Sequence, residues 1–226
     1  AIDTTITSLD LDNTHSGNVD INETDALSIS KIAQGGAGTV NVDAGGTITV
    51  AGAVTATTGN VELDANGGSS SIVVNAAVTT DDGNGGTANG GDISLLADDD
   101  VTFAAAGDVT SDGGNVTVTA DADNGGATSG ALTMADGTVI NAGSGTITLS
   151  ADENVTLGQL ITTGAVAITS TAGGVVDGGD AGGTDIQAGA VTIDAVTGVG
   201  SGGAIDTTMT SLDLDNTGSG NVDINE

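Results

Sequence analysis

The stretch GTVNVDAGGTITVAGAVTATTG, residues 38–59, contains three short runs in which aliphatic and small polar residues alternate. The runs are TVNVDA, GTITVAG and AVTATTG. Alternation with a period of two is typical of β-strands that have one buried and one solvated side. The stretch therefore predicts three short strands, separated by corners, within 22 residues.

The first run belongs to a phrase that recurs along the whole chain: glycine, any residue, an aliphatic, a small or polar residue, an aliphatic. Its copies lie 19 to 32 residues apart: GNVDI (17–21), GTVNV (38–42), GNVEL (59–63), GDISL (91–95), GNVTV (114–118), GTITL (145–149), GAVAI (164–168), GAVTI (189–193) and GNVDI (220–224). In addition, residues 1–23 return as residues 204–226 with two differences, Met209 in place of Ile6 and Gly218 in place of His15. We interpret residues 1–203 as one tandem repeat of about eight coils and residues 204–226 as the start of the next.

These patterns predict an all-β fold, a parallel β-solenoid (β-helix) with about three short strands in each coil. Strands of successive coils are expected to pair in register, with Val, Ile, Leu and Ala inward and Thr, Asp, Asn and Ser outward. The glycine that opens each phrase is expected to turn a corner with positive φ. Gly/Asn/Asp-rich stretches at 81–91, 121–130 and 177–183 are expected to be insertions at corners.

Two other structural classes fit the sequence less well. A content of 39 glycines and a net charge of −30 are typical of disordered chains, but disordered chains lack this strict alternation of aliphatic residues. An antiparallel β-sandwich needs a thick core with aromatic side chains, and Phe103 is the only aromatic residue. A solenoid has a narrow interior that small aliphatic residues fill.

The charge and composition exclude several kinds of partner. The net charge of −30, with Lys31 as the only Lys or Arg, predicts repulsion from nucleic acid and from anionic membranes. Cysteine is absent, which excludes disulfides and thiolate metal sites. No apolar run approaches the roughly 18 residues of a membrane span, so we expect no membrane insertion.

Catalysis is not expected from this set of residues. His15 is the only imidazole, and Gly218 replaces it in the second copy of the segment. No other side chain offers the base that a nucleophile–histidine arrangement needs, and no aromatic platform is present to bind sugar rings. We predict that the chain is not an enzyme and requires no cofactor, with a polysaccharide-active β-helix enzyme as a remote alternative.

Acidic turns are the candidate metal sites, because hard carboxylate oxygens are the ligands that Ca²⁺ prefers. None matches a strict motif: DADNG begins like an EF-hand loop at residue 121, but Leu132 stands where the closing Glu belongs. The alternative is that these acids are solvated corners. The candidate weak Ca²⁺ ligands are Asp98, Asp99, Asp100, Asp121, Asp123, Asp177, Asp180 and Asp185.

The phrases GNVTVTA, GTITLSA, NVTL and LITTGAV resemble those of the filamentous-haemagglutinin class of giant bacterial exoproteins and of autotransporter passenger domains. The resemblance implies a right-handed parallel β-helix displayed at the bacterial cell surface as a long fibre. A structural shaft is the function it implies, with adjacent repeats or further copies of the chain, end to end, as partners. The alternative is an adhesin segment whose corner insertions bind a receptor or a glycan.

Overall fold

The computed structural model describes residues 1–81, 90–123, 130–179, 181 and 183–226. Within these residues the chain forms 27 short strands and no helix. All of the strand pairs are parallel, and the strands stack into a β-solenoid of about ten turns. The predicted all-β solenoid is confirmed.

Strands that take equivalent places in successive turns form three rows, which we name A, B and C in chain order. Row A contains β1 (Ile2–Thr4), β3 (Val19–Glu23), β5 (Val40–Ala44), β8 (Val61–Ala65), β11 (Ile93–Ala97), β14 (Val116–Ala120), β17 (Ile147–Ala151), β20 (Val166–Ser170), β23 (Ala190–Ala195) and β26 (Ser211–Asn216). Row B contains β6 (Ile48–Val50), β9 (Ile72–Val74), β12 (Val101–Phe103), β15 (Leu132–Met134), β18 (Val155–Leu157), β21 (Val175–Asp177) and β24 (Val199–Ser201). Row C contains β7 (Val54–Ala56), β10 (Val78–Thr80), β13 (Val109–Ser111), β16 (Val139–Gly143), β19 (Gln159–Thr162), β22 (Ile186–Gln187), β25 (Ile205–Thr208) and β27 (Ile224–Asn225).

Near the start of the chain, rows B and C are continuous. β2 (Ser8–Asn13) and β4 (Leu27–Gln34) each run through both rows as one strand. The first three residues of β4 pair with β6 and its last three pair with β7, so a single strand serves both rows before a corner separates them.

Equivalent residues of successive turns stack in register and form inward columns. In row A, Val40 pairs with Val61, which pairs with Ile93 one turn later. The inward residues are buried and mostly aliphatic, whereas their outward neighbours are partly or fully exposed. Phe103 lies in such a column between Val74 and Met134 and is 1% exposed. The core is thus a narrow stack of side chains, as the residue sizes predicted.

The glycines that open the phrases differ from the prediction. Among the nine, only Gly17 and Gly220 have positive φ. At each of the other seven, an added Cβ would overlap the backbone carbonyl of the phrase glycine one coil earlier, as at Gly59 above Gly38. The predicted positive φ is therefore wrong for these seven. Glycine is required there because successive backbones approach too closely for any side chain.

The three insertions begin and end at corners, as predicted, and each lies at a different one. The stretch 81–91 connects row C to row A, 121–130 connects row A to row B, and 177–183 connects row B to row C. Residues 82–89, 124–129, 180 and 182 within them lie outside the described residues. Insertions at different corners leave the three rows in register.

The two copies of the 23-residue segment occupy different rows. In residues 1–23, β1 and β3 lie in row A, and β2 runs through rows B and C. In residues 204–226, the equivalents of β1 and β3 are β25 and β27, which lie in row C. The equivalent of β2 is β26, which lies in row A. The first eight phrases open row A strands as predicted, but the ninth, at 220–224, does not. Because the segments are nearly identical, the stacked neighbours rather than the segment itself set its place in the turn.

Candidate functional site

Three of the predicted calcium ligands, Asp98, Asp99 and Asp100, form the corner between β11 and β12. Their carboxylates accept hydrogen bonds from neighbouring turns: Asp98 from the backbone N–H of Gly68 at 2.7 Å, Asp99 from the Ser71 hydroxyl at 3.3 Å and Asp100 from the backbone N–H of Ala131 at 2.8 Å. Asp98 is also buried. These acids therefore tie coils together as hydrogen-bond acceptors.

Asp121 and Asp123 lie on the same corner one turn later. The backbone N–H of Asp121 donates to the carbonyl of Asp99 at 3.1 Å, which brings the two predicted ligands onto stacked turns. Asp121 has a φ of 60°, and it is the only non-glycine residue with positive φ in the described part of the chain. Asp123 is exposed at the end of the described stretch.

Asp177 and Asp185 belong to a different corner, between rows B and C. Asp177 accepts a hydrogen bond from the backbone N–H of Gly179 at 2.7 Å. Asp185 is 2% exposed and accepts one from the backbone N–H of Asp206 at 2.8 Å. Asp180, predicted with them, lies outside the described residues. The seven predicted ligands that the structure describes are thus divided between two corners.

Over the described ranges, no three or more His, Cys, Asp or Glu side chains are grouped as a metal ion would require. Four of these carboxylates, those of Asp98, Asp100, Asp177 and Asp185, instead accept hydrogen bonds from backbone N–H groups. Calcium binding therefore stays a prediction, to be tested in solution.

A second acidic group, which the sequence analysis missed, lies on the outer side of row A. Asp43 and Asp64 are register partners on β5 and β8. Burial raises the pKa of Asp64, and the negative charges of Asp43, Asp98 and Glu62 raise it further. Aligning VNVDA with VELDA places the two aspartates at the same position. The alignment of the phrases could therefore have predicted that Asp43 and Asp64 are neighbours.

A carboxylate also occupies an inward column of row A. Glu23 is 1% exposed and occupies the inward column of row A that alanine fills in most later turns. It accepts hydrogen bonds from the Thr4 hydroxyl, from the N–H of Ile6 at 2.9 Å and from the N–H of Thr24 at 3.0 Å. Burial raises the pKa of Glu23, but these hydrogen bonds and one from Asp25 outweigh it and hold the pKa below its usual value.

The residue after a phrase glycine often caps the next coil. Asn18 accepts a hydrogen bond from the backbone N–H of Thr39 at 3.1 Å. Asn60, Asp92 and Asn115 do the same for the coils that follow them, at 2.8 to 3.0 Å. The asparagines predicted as outward polar residues thus have a structural task, which is to satisfy N–H groups where a strand begins.

The exposed large hydrophobic side chains lie in the two terminal coils. Among the described residues they are Ile2, Ile6, Leu212 and Val222, with exposed fractions of 62%, 37%, 41% and 49%. A groove of about 460 Å³ opens beside Ile2 and Leu11 at one end. Each end therefore combines unpaired strand edges with uncovered apolar side chains.

His15 is exposed on a corner and contacts the hydroxyl of Thr14 through Nδ1 at 3.0 Å. The absence of enzymatic activity stays a prediction.

No protein-family model matches the chain, and no curated protein or solved structure matches it either. The fold and its ends define a parallel β-solenoid with open edges, and the resemblance to filamentous haemagglutinins stays a prediction. Within the described residues, no helix has the length and apolar character that a membrane span requires.

Proposed function

We propose that the chain is a piece of the structural shaft of an extracellular bacterial surface fibre, with a spacing or attachment role and no catalysis. The observation that carries this proposal is the stacking of the rows, which extends over about ten turns. Such a stack has no natural stopping point, because each turn presents the next with the same ladder of hydrogen bonds and the same columns.

The net charge of the chain supports the same role. A net charge of −30 disfavours association with nucleic acid or anionic membrane and keeps neighbouring shafts apart. The partners that fit the open strand edges are further copies of the chain, or adjacent repeats of it, stacked end to end. Leu212 at one end and Ile2 at the other would be covered in such a stack.

Small-angle X-ray scattering over a concentration series tests the proposal. One chain of ten stacked turns should be a rod about 45 Å long, since parallel strands are spaced about 4.8 Å apart. We expect the cross-section to stay constant while the length grows in multiples of this value as the concentration rises. A particle of unchanged length at every concentration would contradict end-to-end assembly.

A cell-attachment assay separates the shaft from the receptor-binding or glycan-binding alternative. The chain is displayed on cells with the insertions 81–91, 121–130 and 177–183 shortened to Gly-Ser corners. A passive shaft should keep its effect on attachment, because the insertions connect the rows at corners. Loss of attachment with the rod intact would support the adhesin alternative.

A further inference from the structure

The two copies of the 23-residue segment keep the same internal structure although they lie in different rows. Three contacts within the coil recur 203 residues later. They are the register pair Ile2–Ile21 (Ile205–Ile224), the amide-to-carboxylate hydrogen bond Asn22–Asp3 (Asn225–Asp206) and the hydroxyl-to-carboxylate hydrogen bond Thr4–Glu23 (Thr207–Glu226). These three contacts are therefore compatible with either place in the turn.

Residues 1–23 dock on β4 and β5 through polar contacts as well as apolar ones. Lys31 of β4, the only Lys or Arg in the chain, forms an ion pair with Asp12. The hydrogen bond to Asp12 raises the pKa of Lys31. Next to this pair, the amide of Asn13 donates to the side-chain carbonyl of Gln34 at 2.7 Å. In a chain of net charge −30, the single base thus lies where the segment binds.

Residues 204–226 carry the same groups without these partners. Asp215 and Asn216 are the equivalents of Asp12 and Asn13. The amide of Asn216 donates within its own corner, to the carbonyls of Ser219 and Gly220 at 3.3 Å, where that of Asn13 donates to Gln34.

Two apolar pairs differ in burial in the same direction, and one differs in the opposite direction, since Ile205 is buried where Ile2 is 62% exposed. Leu212 is 41% exposed where Leu9 is 9% exposed, and Val222 is 49% exposed where Val19 is 5% exposed. The second copy thus leaves Leu212 and Val222 uncovered at positions that the first copy buries.

Of the two positions that distinguish the copies, His15 contacts the docking surface through its backbone: its carbonyl accepts a hydrogen bond from the side-chain amide of Gln34 at 3.2 Å, and Gly218 has the same backbone carbonyl. Ile6 is 37% exposed and His15 is exposed on its corner. The side chains that the first copy uses against Lys31 and Gln34 of β4, those of Asp12 and Asn13, therefore have identical equivalents in the second copy, Asp215 and Asn216. Three glycines with positive φ, Gly198, Gly200 and Gly202, precede the second copy.

We infer that residues 204–226 of one chain take the place of residues 1–23 on β4 and β5 of a second chain, which joins the two chains head to tail. In the joined form, Asp215 pairs with the second chain's Lys31 and Asn216 with its Gln34. The inference rests on the proposed end-to-end assembly and specifies its junction: the coils exchange rather than abut.

Cysteine trapping tests the junction in the full chain, which has no cysteine of its own. In the exchanged form Asp223 takes the place of Asp20 beside Asn41. Chains carrying Asp223→Cys are mixed with chains carrying Asn41→Cys and mildly oxidised. The Cα atoms would lie about 4.8 Å apart, within disulfide reach. We expect a mixed two-chain disulfide, reduced at least several-fold by an excess of a synthetic peptide with the sequence of residues 204–226.

Two further pairs make the outcomes distinct. The double variant Asp20→Cys/Asn41→Cys should close a disulfide within one chain, which shows that this register position is reactive. If whole coils abut instead, the row A edges meet and Asp215 of one chain lies beside Asp3 of the next, so Asp215→Cys and Asp3→Cys trap that form.

A disulfide between positions 215 and 3 without one between 223 and 41 overturns the exchange and leaves end-to-end assembly standing. If the one-chain control closes but neither two-chain pair does, both the exchange and the end-to-end assembly are refuted.

Discussion

Rows A and C are stacked through the same turns, yet they differ in the inward column at the C-terminal end of their strands. Row A carries alanine there in six turns: Ala44, Ala65, Ala97, Ala120, Ala151 and Ala195. Row C carries buried polar side chains in four: Gln34, Thr80, Ser111 and Thr162. Row C leads into the corner where the phrase glycines stack most closely. The difference shows that these buried polar groups serve the corner, where carbonyls need donors, rather than a binding site.

The hydrogen bonds at this corner support that conclusion. Thr80 donates to the carbonyl of Gly91 at 2.6 Å, and Thr162 donates to that of Gly145. The Thr162 hydroxyl also accepts from the backbone N–H of Gly164 at 2.9 Å. One hydroxyl thus satisfies a donor and an acceptor on successive coils.

The largest effect is expected from Gly59→Ala, because the new methyl group would overlap the carbonyl of Gly38. Separating the coils to admit it disturbs the ladder on both sides, so we expect a loss of about 3 kcal/mol in the free energy of unfolding. Gly35→Ala is the matched control, since its Cβ would lie 3.4 Å from the nearest atom, the carbonyl oxygen of Asn13. Urea denaturation followed by circular dichroism measures both. Equal stability of the two variants would show that the glycine column is not required.

A smaller loss is expected from Thr162→Val, which keeps the shape but leaves the carbonyl of Gly145 and the N–H of Gly164 without this partner. Unsatisfied buried groups of this kind cost about 1–3 kcal/mol. Thr148→Val on the exposed side of row A should change stability by less than about 0.5 kcal/mol. If both variants behaved alike in urea denaturation, row C's polar column would have no structural role.

The strands themselves were predictable because their signal is local. Alternation in a stretch such as 38–59 defines which residues point inward, and a repeat of such stretches favours stacking over hairpins. Eight of the ten row A strands, β3 to β23 in that row, follow from the phrase, since residues such as Val40, Val61 and Ile93 hold the same place in it.

The features that sequence reasoning missed depend on neighbouring coils. Residues 1–23 and 204–226 have almost the same sequence, so no local rule assigns them to different rows. The need for glycine at the start of each phrase was missed for the same reason. The close approach of Gly59 to Gly38 becomes visible only when coils are stacked. The pairing of Asp43 with Asp64 was missed because acids were counted by runs along the chain, whereas the structure gathers them across it.

A modest gain in stability is expected from Asp64→Asn, which tests the acidic outer side of row A. Burial and neighbouring carboxylates raise the pKa of Asp64 in the folded chain above the unfolded value of 3.8. Folding therefore favours the protonated form, and stability is lost as the pH rises through the folded pKa. At pH 7 the variant should be more stable by less than about 1 kcal/mol, since water screens a partly exposed carboxylate. Below pH 3.8 the difference should vanish.

Asp25→Asn in an exposed corner is the control for that pH series, and melting temperatures measured between pH 3 and pH 8 provide the readout. The interpretation fails if Asp64→Asn stabilises the chain equally at both ends of this range. It also fails if Asp25→Asn gives the same profile, because a general reduction of negative charge would then explain the gain.

The smallest effect is expected from calcium at the corner between rows A and B, where Asp99 and Asp121 lie on stacked turns. Hydrogen bonds from Gly68 and Ala131 already engage one oxygen each of Asp98 and Asp100, so an ion would find few free ligands. A weak site at a calcium concentration equal to its Kd stabilises by about 0.4 kcal/mol. For a chain of this size that raises the melting temperature by about 1–2 °C, and a chelator should reverse the rise.

Sodium chloride at matched ionic strength is the control, because screening alone stabilises a chain of charge −30. Equal rises in the two salts would mean that these acids serve only as hydrogen-bond acceptors between coils, which is the role row C gives to its buried hydroxyls.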